Sequence, residues 1–456
     1  MAKSLQSNLE TENDSERLKT SLLDGQKAAL ANELPAELLV HIFEIAQKLC
    51  LPLQQHLAWR LPLVLGKVSR YWRQVVYRAP TLWSNVDVSL LRDLGGLQAY
   101  LGRSKNFPID LNITSTHAVG WRSVSRLIRI LRPHYRRCRS IRLKSAYEFT
   151  GEISSILNSM CKGQYPMLQH ICVEGSDRAY VQQKFVMVSD AVNLTSVRLR
   201  GLGLRHCRPP LTAVTQLHLA VSNHPILYTE FSEMLRSCRS LVTLCVYDNF
   251  VRGWPTGLHD THDMPFLRFI RILGNMQEVS QLLLCISAPD LEGLTIAPVS
   301  QGDLAKLRRE TSNTPRFPAL KSLTLAPAHS KLTTVAYASA CFPGIKLLIL
   351  PNFNKLSFKG SFKTTDSRPF WPELDGLAVR DIDDQGVLYE FVQDRQRLGV
   401  PLRSLYLDPL SMSRMTRLDW LKDQLSVVEA DPWKIQCEDS FYRGGEARFL
   451  RTARAQ

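Results

Sequence analysis

The chain has 456 residues, 45% of them apolar and 22% charged, with a formal charge of +15. That balance is ordinary for a protein able to bury a core, and the length suits two to three domains or one long repeat array with a small domain attached. No window approaches eighteen uninterrupted apolar residues, and the start, MAKSLQSNLETENDSERLKT, lacks the apolar run of a secretory signal; the expectation is a chain of the cytoplasm or nucleus with no membrane partner.

Residues 1 to 28 are polar, rich in Ser, Asn, Glu and Lys, and read as a disordered or weakly helical leader. Residues 29 to 90 read as a compact helical unit. In NELPAELLVHIFEIAQKL, Leu38, Ile42, Ile45 and Leu49 recur at helical spacing on nearly one face. A second helix is expected through LPLVLGKVSRYWRQVVYRA, where Leu61, Leu65, Val68, Trp72 and Val75 step by three and four. Pro80 ends it, because the residue before a proline is pushed out of helical geometry. Trp72 is either an interface anchor or the centre of the unit's own core.

Over residues 105 to 410 the grammar changes. A phrase recurs: an apolar residue, two of any kind, an apolar, one of any kind, an apolar. It opens weakly as CRSIRL at Cys138 and continues through LQHICV, LTSVRL, VTQLHL, LVTLCV, LRFIRI, LEGLTI, LKSLTL, IKLLIL, LDGLAV and LRSLYL, which ends at Leu407. These eleven phrases start roughly 20 to 30 residues apart, the period of leucine-rich repeats. The last two apolar positions of each phrase point to one side of a short strand, and stacking the strands in parallel buries those side chains together. Intervening segments such as TEFSEMLRSCRS have helical spacing and would cover the outer side of a curved solenoid. The fold class expected is therefore α/β, a small all-α module followed by a solenoid. Residues 411 to 456 read as a cap and basic tail, with a helix and one more strand in MTRLDWLKDQLSVVEADPWKI.

The ten cysteines are scattered without a CxxC pair, so neither a disulfide framework nor a metal site is supported. RPHYRRCRSIR, residues 132 to 142, is the densest basic cluster and reads as a solvated face, with nuclear targeting and anion binding as the alternatives. There is no GxSxG, no Walker-type loop, no GxGxxG after a strand and no HExxH, so no enzyme, metal or cofactor is expected. Asp381, Asp383 and Asp384 read as a turn and helix start, and HDTHDMP, residues 259 to 265, as a surface turn.

Read together, ELPAELLVHIF, VSRYWRQVV and PTLW resemble an F-box. That family shows a Leu-Pro start, a Glu with two following aliphatics and then an Ile-Phe pair, a later Val-Ser-Arg-x-Trp-Arg, and a closing Pro-x-Leu-Trp. Here these are Leu34-Pro35, Glu37-Leu38-Leu39, Ile42-Phe43, Val68 to Arg73 and Pro80 to Trp83. The link KLCLPLQQHLAWRL is longer than the usual one. The whole chain is similar to the F-box-like family expanded in mushroom-forming fungi, which pairs this module with irregular leucine-rich repeats. The resemblance implies a non-catalytic receptor in which the F-box binds the Skp-family adaptor of a cullin-RING ubiquitin ligase and the repeats hold a protein substrate. Adaptor contacts would come from Leu34, Pro35, Leu38, Leu39, Ile42, Phe43, Val68 and Trp72. The charge favours an acidic or phosphorylated substrate, with Arg198, Arg268, Arg271 and Lys321 as outward-pointing candidates. Competing readings are a scaffold with a vestigial F-box and, less favoured, a nucleic-acid binder whose affinity would fall steeply with salt.

Overall fold

The computed structural model describes residues 33–53, 55–88, 94–115, 121–145, 151–175, 185–186, 191–201, 207–220, 225–255, 261–274, 278–311, 316–327, 332–351, 369–380, 382 and 385–432. The leader, the three aspartates Asp381, Asp383 and Asp384, and the basic tail beyond 432 lie outside them.

Three helices open the described chain: α1 (Ala36–Leu53), α2 (Gln55–Val68) and α3 (Arg70–Arg78). The single second helix expected from the sequence is broken at Ser69. That residue is extended (φ −150°, ψ 168°), and its hydroxyl accepts from the Trp72 N–H, capping α3. The stop at Pro80 is where the sequence puts it, with Ala79 extended before it. The chain then makes a short 3-10 turn at Pro80–Trp83 and enters a sheet at once.

That sheet has fourteen strands in sequential order, all paired parallel. They are β1 (Asn85–Asp87), β2 (Ile109–Ser115), β3 (Cys138–Ser145), β4 (His170–Glu174), β5 (Ser196–Arg200), β6 (Gln216–Ala220), β7 (Thr243–Tyr247), β8 (Phe269–Leu273), β9 (Gly293–Val299), β10 (Ser322–Pro327), β11 (Leu347–Leu350), β12 (Gly376–Val379), β13 (Ser404–Leu407) and β14 (Ser426–Glu429). Each of the eleven phrases supplies one strand, β3 to β13. One strand per period, each paired only with its neighbours, makes this a solenoid-like α/β fold.

The paired apolar positions lie in one core. Ile171 and Val173, Leu244 and Val246, and Leu377 and Val379 join it, together with Phe231 and Leu235 from helix Tyr228–Ser237 and Leu304 and Leu307 from helix Gln301–Glu310. The residues between them, such as Cys172, Cys245 and Ala378, are outside that core and face the other side of the sheet. On that other side Leu273, Ala297 and Ala326 form a small separate apolar cluster, with Tyr247 against it.

The sheet starts at Asn85, inside the span read as the helical unit, and its last strand, β14, follows helix Leu418–Gln424 where a helix and one more strand were expected. The helical unit packs directly onto the sheet. Leu39, Phe43, Val75 and Val76 share one continuous core with Leu425 at the far end. The seam is Trp83, fully buried, whose indole N–H donates to the Val76 carbonyl at 2.8 Å. Its ring meets Tyr100 edge-on at 4.7 Å, on helix α4 (Leu94–Arg103), and the Arg103 guanidinium lies 4.5 Å from it.

The basic cluster at 132 to 142 is not simply a solvated face. Arg137 donates to the Leu101 and Phe107 carbonyls and to the Ser104 hydroxyl, at 2.9–3.0 Å. Arg139 pairs with Asp110 and Arg136 with Gln164. These cations tie one strand-and-helix unit to the next. Arg395 does the same far along the chain. It is buried and donates to the Phe370, Trp371 and Leu374 carbonyls at 3.1–3.2 Å, and burial draws its pKa down to about 10, which leaves it charged at neutral pH. HDTHDMP also departs from its expected surface turn. His262–Asp263 pairs with Ile286–Ser287 as a small parallel ladder, and His262 is buried.

One turn is sterically exacting. Gly274 ends β8 at φ +84°, and an added Cβ would stand 2.2 Å from an Asp248 carboxylate oxygen and 3.1 Å from the Asp248 backbone nitrogen. Gly274→Ala is expected to lower stability by about 1–3 kcal/mol, read as an earlier urea midpoint, because both the backbone region and the space exclude a side chain.

Candidate functional site

The first candidate surface is built on α1 and α2. Pro35 presets the entry to α1, and its carbonyl accepts from the Leu39 N–H at 3.1 Å. The Tyr71 hydroxyl donates to the Leu34 carbonyl at 2.8 Å, fixing the Leu-Pro corner against α3. From that start, steps of four point Leu39, Phe43 and Gln47 inward. Leu39 and Phe43 are buried, Phe43 meets the Trp72 ring at 4.8 Å, and the Gln47 amide donates to the Leu82 carbonyl.

A second row on the same helix points outward. Leu38, Ile42 and Leu49 are 52%, 48% and 66% exposed, and Ile45 lies between them. Leu63, Val64 and Val68 on α2 are exposed as well. A helix that only closed the end of the solenoid would need the inner row alone. The outer row leaves an apolar surface in water, the ordinary mark of an interaction site.

The expected contact residues therefore divide. Leu38, Ile42, Val68 and Pro35 are exposed, and Leu34 and Trp72 are half-buried. Leu39 and Phe43 are corrected to core residues, because on a helix neighbouring positions lie about 100° apart and the 39/43 pair faces the module's interior.

The second candidate surface is the face of the sheet opposite the shared core. Register sets one residue from each strand in a row across it: Asn112, Arg142, Cys172, Arg198, His218, Cys245, Arg271, Thr295 and Thr324. The next position along the strands adds Lys144, Glu174 and Arg200, with Lys144 and Glu174 paired at 3.6 Å. Three arginines and a histidine thus occupy six consecutive strands; the row is uncharged from Thr295 onward, and at its other end Asn112 stands opposite Asp87 of β1 and donates to its carboxylate at 3.2 Å.

Of the residues expected here, Arg198 is on the row and half-buried. Arg271 is on it too but only 4% exposed, not outward-facing as expected. It lies between Cys245 and Thr295 in the register. Arg268 and Lys321 are exposed but precede their strands, and Arg268 is paired with Glu292. Arg142 and His218 were missed. Their signal was the fifth position of CRSIRL and VTQLHL, which is the position of Arg198 in LTSVRL and Arg271 in LRFIRI. Burial, with Arg198 and Arg271 nearby, drives the His218 pKa down to about 3, so its imidazole is neutral across the physiological range.

No protein-family model matches the chain, and no curated protein matches it.

Proposed function

We propose that the chain is a substrate receptor of an SCF-type ubiquitin ligase, with α1 and α2 docking on a Skp-family adaptor and the sheet presenting a target protein. The observation that carries this reading is the outer apolar row of α1, at Leu38, Ile42, Ile45 and Leu49, which the chain's own core does not use. The F-box-like order of Leu34-Pro35, Val68 to Arg73 and Pro80 to Trp83 supports a Skp-family adaptor as the partner. The corner those residues build, with Tyr71 bonded to the Leu34 carbonyl and Trp72 against Phe43, explains why such a motif holds its helix in one pose. In this reading the chain supplies binding and orientation, and the chemistry belongs to the ligase it recruits.

Co-expression of the chain with a Skp-family adaptor tests it. The two are expected to co-purify through size-exclusion chromatography as a stoichiometric complex. An intact, folded chain that elutes free of adaptor overturns the proposal.

A further inference from the structure

We infer that the outer face of helix Trp121–Leu131, with the 3-10 turn Arg132–Arg137 that follows it, binds the phosphate backbone of duplex nucleic acid without reading its sequence. The surface lies on the helix-covered side of the sheet and does not depend on what α1 and α2 bind.

The positive charge of the chain is unevenly spread. Residues 94–165 hold twelve Lys and Arg against three Asp and Glu, which is nine of the chain's fifteen net positive charges. Helix Trp121–Leu131, WRSVSRLIRIL, contains no acid. Its neighbours are α4, also without one, and helix Gly151–Cys161, whose one acid is Glu152. Val124, Leu127, Ile130 and Leu131 are buried in the shared core, so the opposite side of the helix faces water. Arg126, Arg129 and Arg132 follow one another at three-residue steps and are all exposed. No hydrogen bond or ion pair engages their guanidinium groups among the described residues.

The turn extends this array on a fixed backbone. Arg137, bonded to the Leu101 and Phe107 carbonyls and the Ser104 hydroxyl, anchors it to α4 and the chain beyond. Arg136 is exposed, and its Nε donates to the Gln164 amide oxygen at 2.9 Å, which orients the group without neutralising it. At about 1.5 Å per helical residue and about 2.0 Å per 3-10 residue, Arg126 to Arg136 covers roughly 17 Å. That is about five base pairs of duplex, over which one strand carries about five phosphates. Four guanidinium groups spread over that length suit a charge repeated at short intervals, and each can take two phosphate oxygens at once.

Other anionic partners require something this face lacks. A protein interface is centred on apolar and aromatic side chains, and a helix lying in a membrane surface inserts them. Among the described residues of this helix and turn, no large apolar side chain is exposed. Single strands are held by stacking on aromatic rings, and Tyr135, the one aromatic of the turn, is buried. Duplex phosphates need only cations held at suitable intervals.

Fluorescence anisotropy of a labelled DNA duplex of about twenty base pairs, titrated with the full chain from about 50 to about 200 mM chloride, tests the inference. The logarithm of the affinity is expected to fall with that of salt at a slope of about −3.6, for four phosphates, a loss of roughly a hundredfold over that range. Duplexes of unrelated sequence should bind equally. Arg126→Gln with Arg129→Gln should weaken binding at least about tenfold and make the slope shallower by about 1.8, with an unchanged circular dichroism spectrum because Gln is a comparable helix former. Arg308→Gln with Arg309→Gln removes the same charge from exposed positions on helix Gln301–Glu310 and should leave the slope as it is. No saturable binding by the wild-type chain, or a loss in the first double variant no greater than in the second, overturns the inference. So does displacement of the duplex by polyglutamate at equal charge concentration, which would assign the face to an acidic protein.

Discussion

Leu38→Asp together with Ile42→Asp is expected to abolish co-purification with a Skp-family adaptor while leaving the chain folded. Both side chains are about half exposed in the free chain, so neither contributes much to the module's own core. Burying the exposed half of each against a partner would contribute about 1 kcal/mol or a little more each. Aspartate removes that gain and adds the larger penalty of a carboxylate forced into an apolar contact. A loss of ~4 kcal/mol or more corresponds to about a thousandfold in Kd, enough to empty a pull-down. The folded chain tolerates both changes. Residue 38 lies in the first turn of α1, where a negative charge meets the positive end of the helix dipole, and an aspartate at 42 costs about 0.7 kcal/mol in helix propensity. Thermal unfolding of the double variant should therefore stay within a few degrees of wild type. A retained complex would mean that the adaptor does not use this row. A collapsed melting curve would mean that the row belongs to the core after all. Leu39→Asp is the contrasting control, since it places the charge in the buried row and should unfold the module itself.

Trp83→Ala has the largest expected effect on stability. The indole is fully buried, donates to the Val76 carbonyl and fills the space between α3 and Tyr100 on α4. Truncating a buried tryptophan costs about 3–5 kcal/mol, and the Val76 carbonyl keeps only the longer bond from the Ala79 N–H, at 3.3 Å. In a solenoid each unit is held by its neighbours, so damage at one seam is felt there first. Hydrogen exchange should show α1 to α3 and β1 losing protection while β7 to β12 keep theirs. Uniform loss across all fourteen strands would show instead that the helical unit is needed to hold the whole sheet.

Most of the sheet was legible because one phrase encodes one strand. In LVTLCV, Leu244 and Val246 point one way and Cys245 the other, and that alternation alone sets the core face. The strands that escaped lack the phrase. Asn85–Asp87 is three residues long, and Ile109–Ser115 keeps the alternation at Ile109, Leu111 and Ile113 without the leading leucine. The break at Ser69 escaped because apolar spacing runs through it undisturbed, while a single side-chain hydrogen bond decides it. Arg271 shows a different limit. Alternation gives the direction of a side chain but not its burial, which depends on packing set by residues distant in sequence; the strand neighbours of Arg271, Cys245 and Thr295, are each some twenty-five residues away. The outer row of α1 could be read as a stripe, but not as a free one, until the position of the inner row was known.

The seam at Trp83 also has a mechanical consequence. β1 begins two residues after the indole, and the core runs through the junction without interruption. The sheet thus extends from α1 and α2 as an arm joined to them by packed core. His218, five strands along from β1, stands roughly 24 Å away on the sheet. Lengthening that arm takes a whole added strand and its return helix. Because each repeat brings a small rotation as well as a rise, anything carried on the sheet would be turned as it was moved outward.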